Sequence, residues 1–147
     1  MKLTIIFKSL FILLCVVLAT GCDKDDEIVP QSELSAEIQA YIGTHFPTNA
    51  ISQVKIDKES GGKSYEVMLN GGIQLDFNSS NQIVDIDGTT ELPDSVIPSE
   101  ILVYVSQNYP SNVITDWELD DNHQQVGLDN GIELEFSMAG EFIRIDN

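Results

Sequence analysis

Residues 129–136 read DNGIELEF, and residues 70–77 read NGGIQLDF. In each stretch a glycine-containing turn precedes an alternation of apolar and polar residues, which predicts a hairpin turn followed by a β-strand. The apolar set is expected to face the core: Ile73, Leu75, Phe77 and Ile132, Leu134, Phe136. The residues between them are expected to face water: Gln74, Asp76 and Glu133, Glu135.

The similarity between these two stretches extends outward in both directions. Residues 34–57 resemble residues 97–120, and residues 66–87 resemble residues 125–146. The positions that recur before the hairpin are Glu37/Glu100, Ile38/Ile101, Tyr41/Tyr104, Pro47/Pro110, Asn49/Asn112, Ile51/Ile114 and Asp57/Asp120. The pattern predicts a tandem duplication of one unit of about 60 residues, which is too few copies for a solenoid.

Each unit begins with a predicted amphipathic helix. An apolar stripe at helical spacing comprises Leu34, Ile38, Tyr41, Ile42 and, in the second unit, Ile97, Ile101, Tyr104, Val105. Ser35 is suited to cap the first helix, and the prolines at 47 and 110 are expected to end both. Four short strands follow in each unit, the last containing Val84 and Ile86 or Ile143 and Ile145. The predicted fold class is α+β, with an α-β-β-β-β unit repeated in tandem and helices packed on one face of an antiparallel sheet.

The N-terminus indicates export. Residues 1–21 combine two lysines with an apolar run too short to span a bilayer, and they end before Cys22 in a sequence that resembles a bacterial lipobox. We therefore predict a lipoprotein signal peptide at 1–21, lipidation at Cys22 and an acidic tether at 22–32. The other predicted boundaries are a first unit at 33–88, a linker at 89–96 and a second unit at 97–147.

The tether predicts the compartment in more detail. Residues 24–26 read KDD and resemble an export signal that sends lipoproteins to the outer face of the outer membrane. The expected location is across the inner membrane, anchored by lipid in the outer membrane on its periplasmic or cell-surface face. Because Cys15 lies in the predicted signal and Cys22 in the predicted anchor, cysteine catalysis and Cys-ligated zinc are excluded.

The net charge of the chain indicates which classes of molecule it can bind. Without Lys2 and Lys8 the chain carries five basic and 24 acidic residues, a net charge of −19. Nucleic acid and anionic lipid head groups are therefore not expected as partners, whereas a basic protein or peptide is.

The repeated motifs resemble a known family. Glu-Ile-x-x-Tyr-Ile before His-Phe-Pro at 37–47, then Tyr-Glu-Val-x-Leu, Asn-Gly, Leu-x-Phe and Ile-x-Ile-Asp up to residue 87, are similar to the PepSY-like, β-lactamase-inhibitor-like lipoproteins. The resemblance implies a tandem αβ₄ fold and a non-enzymatic envelope module whose open sheet grips another protein. The chain lacks the disulfides of the β-lactamase inhibitor, so inhibition of that enzyme does not follow.

The sequence offers no residues in a pattern typical of catalysis or of metal binding. We expect no catalytic residue, because an open sheet face does not desolvate a carboxylate enough to make it a general acid. We also expect no cofactor and no dedicated metal site, because the acids at 85–87 and 120–121 lack the spacing of a calcium loop. His45 is expected to cap a helix C-terminus, His123 to be exposed and Trp117 to lie in the core.

The function predicted from the sequence is non-catalytic binding of a protein or peptide. The predicted binding face is the outward register of the strands: Lys55, Glu66, Met68, Gln74, Asp76, Asp85, Asp116, Glu118, Gln125, Glu133, Glu135 and Arg144. The sequence leaves two alternatives open: a carboxylate-based hydrolase or calcium-dependent envelope protein, and a purely structural envelope protein. The oligomeric state is not predicted.

Overall fold

The computed structural model describes residues 27–58 and 62–146. Within them, nine strands form a single sheet and two α-helices lie on it. The elements are β1 Glu27–Val29, α1 Ala36–His45, β2 Ile51–Asp57, β3 Ser64–Leu69, β4 Ile73–Phe77, β5 Ile83–Gly88, α2 Ser99–Asn108, β6 Ile114–Leu119, β7 His123–Leu128, β8 Glu133–Ser137 and β9 Phe142–Asp146. One short 3₁₀ turn precedes each helix, at Gln31–Glu33 and Asp94–Val96.

The nine strands lie in the sheet in chain order, and every neighbouring pair is antiparallel. This confirms the α+β class and the antiparallel sheet. Besides β1, each half of the chain supplies one helix and four strands, and β5 pairs with β6 where the halves meet. That joint is short, with residues 85–87 opposite residues 116–118.

The helix ends follow the sequence. Ser35 caps α1, its Oγ accepting a hydrogen bond of 3.3 Å from the backbone N–H of Ile38. The helices end at His45 and Asn108, two residues before their prolines. Gly131, in the turn before β8, has a φ of 80°, a left-handed conformation that favours glycine, as the turn prediction requires.

The core lies between the helices and the inward face of the sheet. Ile38 and Ile42 of α1 and Ile101 and Val105 of α2 are buried against it. One row of inward residues crosses all nine strands through directly opposite pairs: Val29, Val54, Val67, Leu75, Ile86, Trp117, Val126, Leu134 and Ile145. Trp117 is therefore in the core, as predicted, and its indole N–H donates to Oε1 of buried Gln124 at 3.0 Å.

Two expectations about the chain ends need correction. Residues 27–29 were predicted to belong to a solvated tether, but they pair with β2 as β1, which places Val29 opposite Val54 in the inward row. Ile145 does lie on the inward face, opposite Leu134, but the last strand is not covered as the predicted fold implied, since 50% of the surface of Ile143 and 45% of that of Ile145 are exposed. A bulge after Phe142 shifts the register there, and β9 is the last strand of the sheet.

The predicted signal peptide, Cys22 and the first acids of the tether lie outside the described residues. Among the described residues, neither helix has the length and apolar character needed to cross a membrane.

Candidate binding face

Two rows of side chains cross the face of the sheet that the helices do not cover. We call them the first row and the second row, and within each row neighbouring residues lie directly opposite each other on adjacent strands. The first row, from β2 to β9, is Lys55, Glu66, Asp76, Asp85, Glu118, Gln125, Glu135 and Arg144. The second row is Gln53, Met68, Gln74, Asp87, Asp116, Gly127, Glu133 and Asp146. The twelve residues of the predicted face all fall in these rows.

The register also adds residues that the predicted face did not include. Asp87 and Asp146 belong to the second row, opposite Gln74 and Glu133. The signal was present in the sequence, because Asp87 lies two positions from Asp85 on the same strand and therefore on the same face.

The two basic residues of the rows lie near opposite ends of the first row. Lys55 Nζ is 2.6 Å from Glu66 Oε1, and Arg144 Nε donates to Glu135 Oε2 at 2.6 Å. In each pair the base lies directly opposite its acid on the neighbouring strand. Both cations are thus held by an acid at the margin of the face.

Glu135 is not exposed to water as predicted. Only 11% of its side chain is exposed, because Arg144 covers it and His123 Nε2 lies 3.9 Å from its Oε1. His123, also predicted to be exposed, is half-buried between Glu135 and Asp120, whose Oδ2 lies 3.5 Å from Nε2.

His45 does lie at the C-terminus of α1, and its Nδ1 is 2.9 Å from Ser95 Oγ.

Acidic side chains concentrate where the two halves join. Across the joint Asp85 lies opposite Glu118, and Asp87 lies opposite Asp116. These four carboxylates and Glu133 surround a depression of about 220 Å³, whose remaining lining is Gln125 and Gly127. Like charges directly opposite on neighbouring strands repel each other, so this part of the sheet carries an electrostatic cost that a bound cation would relieve.

Burial adds to that cost. It raises the pKa of Asp85 to about 6, with further contributions from the charges of Asp76, Glu118 and Asp87. Burial is also the main reason why the pKa values of Asp76 and Asp116 are raised, and a hydrogen bond to Asp87 adds to the shift of Asp116. The expectation that an open face cannot desolvate its carboxylates is therefore wrong for Asp85, because the neighbouring side chains crowd around it.

Within 27–58 and 62–146, no group of three or more His, Cys, Asp or Glu side chains is arranged to hold a metal ion.

The family described as "Putative beta-lactamase-inhibitor-like, PepSY-like" matches the chain twice, at residues 21–85 and 63–144. Comparison with curated proteins gives no match.

Three solved structures share the fold. One, from Bacteroides thetaiotaomicron, is described as a "putative calcium-regulated periplasmic protein"; it is 30% identical, with 84% of this chain and 98% of that chain covered and a TM-score of 0.79. A "putative periplasmic protein from DUF2874 family" of Bacteroides vulgatus is 33% identical over 86% and 100% of the two chains, with a TM-score of 0.79.

The third structure is a "putative periplasmic protein of unknown function" from Bacteroides vulgatus, 29% identical over 83% and 99%, with a TM-score of 0.78. These structures are matched over nearly their whole length, and two of them share about a third of their residues with this chain. The chain therefore belongs to the PepSY-like, β-lactamase-inhibitor-like family.

Proposed function

We propose that this protein is a non-catalytic module of the cell envelope, anchored by lipid at Cys22, that binds a basic protein or peptide on the acidic centre of its open sheet face. The observation that carries the proposal is the charge layout of the two rows. The cations are at the margins, while Asp85, Asp87, Asp116 and Glu118 face one another at the joint. The periplasmic description of the relatives supports the envelope location.

A cationic ligand fits this layout for a physical reason. The acids at the joint lie against one another, and the raised pKa of Asp85 reflects its partial burial and the charges of its neighbours. A lysine or arginine side chain seated among the acids would remove the repulsion and form charge-assisted hydrogen bonds. The free energy that the sheet loses to repulsion is then recovered on binding.

The same geometry favours binding over hydrolysis. A carboxyl with a pKa of about 6 has the proton affinity of a general acid, but the side chains around Asp85 are further acids. Hydrolysis of an ester or peptide develops negative charge on the substrate, which these neighbours would destabilise. The acidic centre therefore stabilises a cation and disfavours an oxyanion.

Binding is tested with the full chain in detergent, titrated with a fluorescent oligo-lysine peptide at several salt concentrations. We expect affinity that falls at least about tenfold from low to physiological salt. The double variant Asp116→Asn/Glu118→Gln should weaken binding by about tenfold or more, because it removes two acids from the centre. Its control, Glu91→Gln/Asp121→Asn, removes the same charge outside the two rows. Equal loss in both double variants, or equal binding of an oligo-glutamate peptide, would reject the proposal.

The anchor is tested separately in cells. Labelling with a radioactive fatty acid should mark the wild-type chain and not Cys22→Ala, and protease treatment of whole cells should show which face of the outer membrane carries it. Unchanged labelling of Cys22→Ala would exclude lipidation at this residue.

Regulation by calcium is the second candidate. It is supported by the relative described as calcium-regulated and by the five carboxylates that surround one depression. It ranks below the basic ligand because the described side chains do not form a metal cluster. A calcium-dependent rise in melting temperature that magnesium does not reproduce, and that Asp116→Asn/Glu118→Gln removes, would favour calcium.

We also infer that the two halves arose by tandem duplication. Their element order is the same from helix to fourth strand, and the family matches each half in turn.

A further inference from the structure

Exposed apolar side chains gather at one edge of the sheet. Among the described residues, the large hydrophobic side chains that are exposed are Ile28, Val103, Met138, Phe142, Ile143 and Ile145. Four of these six belong to β9 or to the turn that leads into it. Because β9 is the last strand of the described sheet, it combines this apolar surface with backbone groups that no described strand pairs on its outer side.

The equivalent strand of the first half shows how such an edge is covered. β5 matches β9 in sequence position, with Asp85, Ile86 and Asp87 corresponding to Arg144, Ile145 and Asp146. The outer side of β5 pairs with β6, where Ile86 lies opposite Trp117 and is fully buried. Ile145 occupies the same place but is 45% exposed. Strand β9 therefore keeps the apolar residues of a covered strand without a described strand beside it.

We propose that β9 pairs with β9 of a second copy of this chain, so that two sheets join into one. The pairing is antiparallel and centred on Ile145, which lies opposite Ile145 of the other copy. Arg144 then lies opposite Asp146 of the other copy, and Asp146 opposite Arg144. The three-residue length equals that of the β5–β6 joint.

Charge complementarity selects a second copy as the occupant. Arg144 and Asp146 lie on the same side of the strand, two positions apart, so a twofold axis through Ile145 places each beside its opposite charge. The corresponding joint in the first half has acids opposite acids, which makes the β9 pairing electrostatically better than the one already present in the fold. The surface is thus complementary to itself.

The opposite edge of the sheet does not offer the same surface. β1 has three residues and is followed by Pro30, which lacks a backbone donor. Glu27 of β1 also pairs with Lys58, so a charged pair lies at that edge. These features are typical of edges protected against further pairing, and they place the contact at β9.

The contact is tested by disulfide cross-linking of the full chain. Under mild oxidation Ile145→Cys should give a cross-linked dimer, because directly opposite residues of an antiparallel pair lie within disulfide distance. Ile28→Cys on the opposite edge is the matched control, and the parent chain reports any background from Cys15 and Cys22. Cross-linking of Ile145→Cys no stronger than that of Ile28→Cys would overturn the proposal. So would a cross-link to a different protein in place of a second copy.

A charge variant tests the register. Asp146→Arg places arginines opposite each other and should raise the dimer dissociation constant about tenfold in sedimentation measurements. Asp121→Arg makes the same charge change in an exposed loop and should leave the constant unchanged. Equal effects of the two variants, or a monomeric parent chain at all concentrations, would overturn the proposal. Neither result bears on peptide binding, which is measured with another ligand.

Discussion

Equivalent positions in the two halves of the sheet carry opposite electrostatics. In the second half Glu135 lies opposite Arg144 and accepts its hydrogen bond. In the first half Asp76 lies opposite Asp85; burial raises the pKa of both carboxyls, and the charge of Asp76 raises that of Asp85 further. Both halves nevertheless form the same hairpin. The fold therefore requires neither arrangement, and the charge at these positions is available for recognition.

The position of each pair in the sheet explains why the difference matters. The Glu135–Arg144 pair lies at the margin, whereas Asp76 and Asp85 lie beside the joint, next to Glu118. The Glu135–Arg144 pair thus lies at the border of the acidic centre, whereas Asp76 and Asp85 add negative charge to it. Substitutions at equivalent positions of the two halves therefore distinguish residues that stabilise the fold from residues that give the open face its charge.

The largest difference in stability between equivalent substitutions in the two halves is expected for apolar residues of the fourth strands. Ile86→Ala removes a fully buried side chain and should lower the free energy of unfolding by about 4 kcal/mol. Ile145→Ala, at the equivalent but exposed position, should cost under about 1 kcal/mol in dilute protein. Denaturant melts of both variants measure the contrast. Equal losses would show that β9 is covered in the monomer after all.

The turns before the fourth strands give the next contrast. Asn81 and Gly140 have matching left-handed φ angles of 61° and 80°. A Cβ at Gly140 would lie 2.6 Å from Cβ of Glu100, so Gly140→Asn should cost about 2 kcal/mol. Asn81→Gly should change stability by less than about 0.5 kcal/mol, because glycine adopts this conformation freely. Thermal melts of the two exchanges should therefore differ, and equal shifts would contradict the close approach of α2.

The ion pairs at the two margins should differ in strength. Arg144→Ala removes the cation that pairs with Glu135 and most of its cover, and we expect a loss of about 1–2 kcal/mol, between the values for exposed and buried pairs. Lys55→Ala should cost under about 1 kcal/mol, because Glu66 stays about a third exposed to water. Urea melts of both variants at neutral pH compare them. A larger loss for Lys55→Ala would reverse this ranking.

The hairpins, the helix ends and the set of residues on the open face could be predicted from the sequence, because alternation and turn residues are local signals. It did not predict the burial of Glu135, which depends on Arg144 and His123 reaching it from neighbouring strands. It also missed β1, because three residues are too few for a periodic signal. The pairing of β5 with β6 brings acids of the two halves together, and this contact arises from tertiary structure.

The smallest effect concerns the acid at the joint. Asp85→Asn should raise the free energy of unfolding at pH 7 by about 1 kcal/mol, a value discounted because the side chain is only partly buried. Since the pKa of Asp85 is raised to about 6 from 3.8, the folded state holds its proton more tightly than the unfolded state. The wild type should therefore gain stability as pH falls from about 6 towards about 4, and lose it again as pH rises.

That pH dependence should shrink in the Asn variant, because amide side chains do not titrate. The advantage of Asp85→Asn over the wild type should accordingly disappear near pH 4, where Asp85 of the folded wild type is already protonated. Asp121→Asn, an exposed acid in the β6–β7 turn, is the matched control. Urea melts from pH 4 to pH 7 provide the measurement. If the free energies of unfolding of Asp85→Asn and Asp121→Asn depend on pH in the same way, repulsion among the acids at the joint does not lower the stability of the sheet. The first half would then resemble the second in electrostatics as well as in fold.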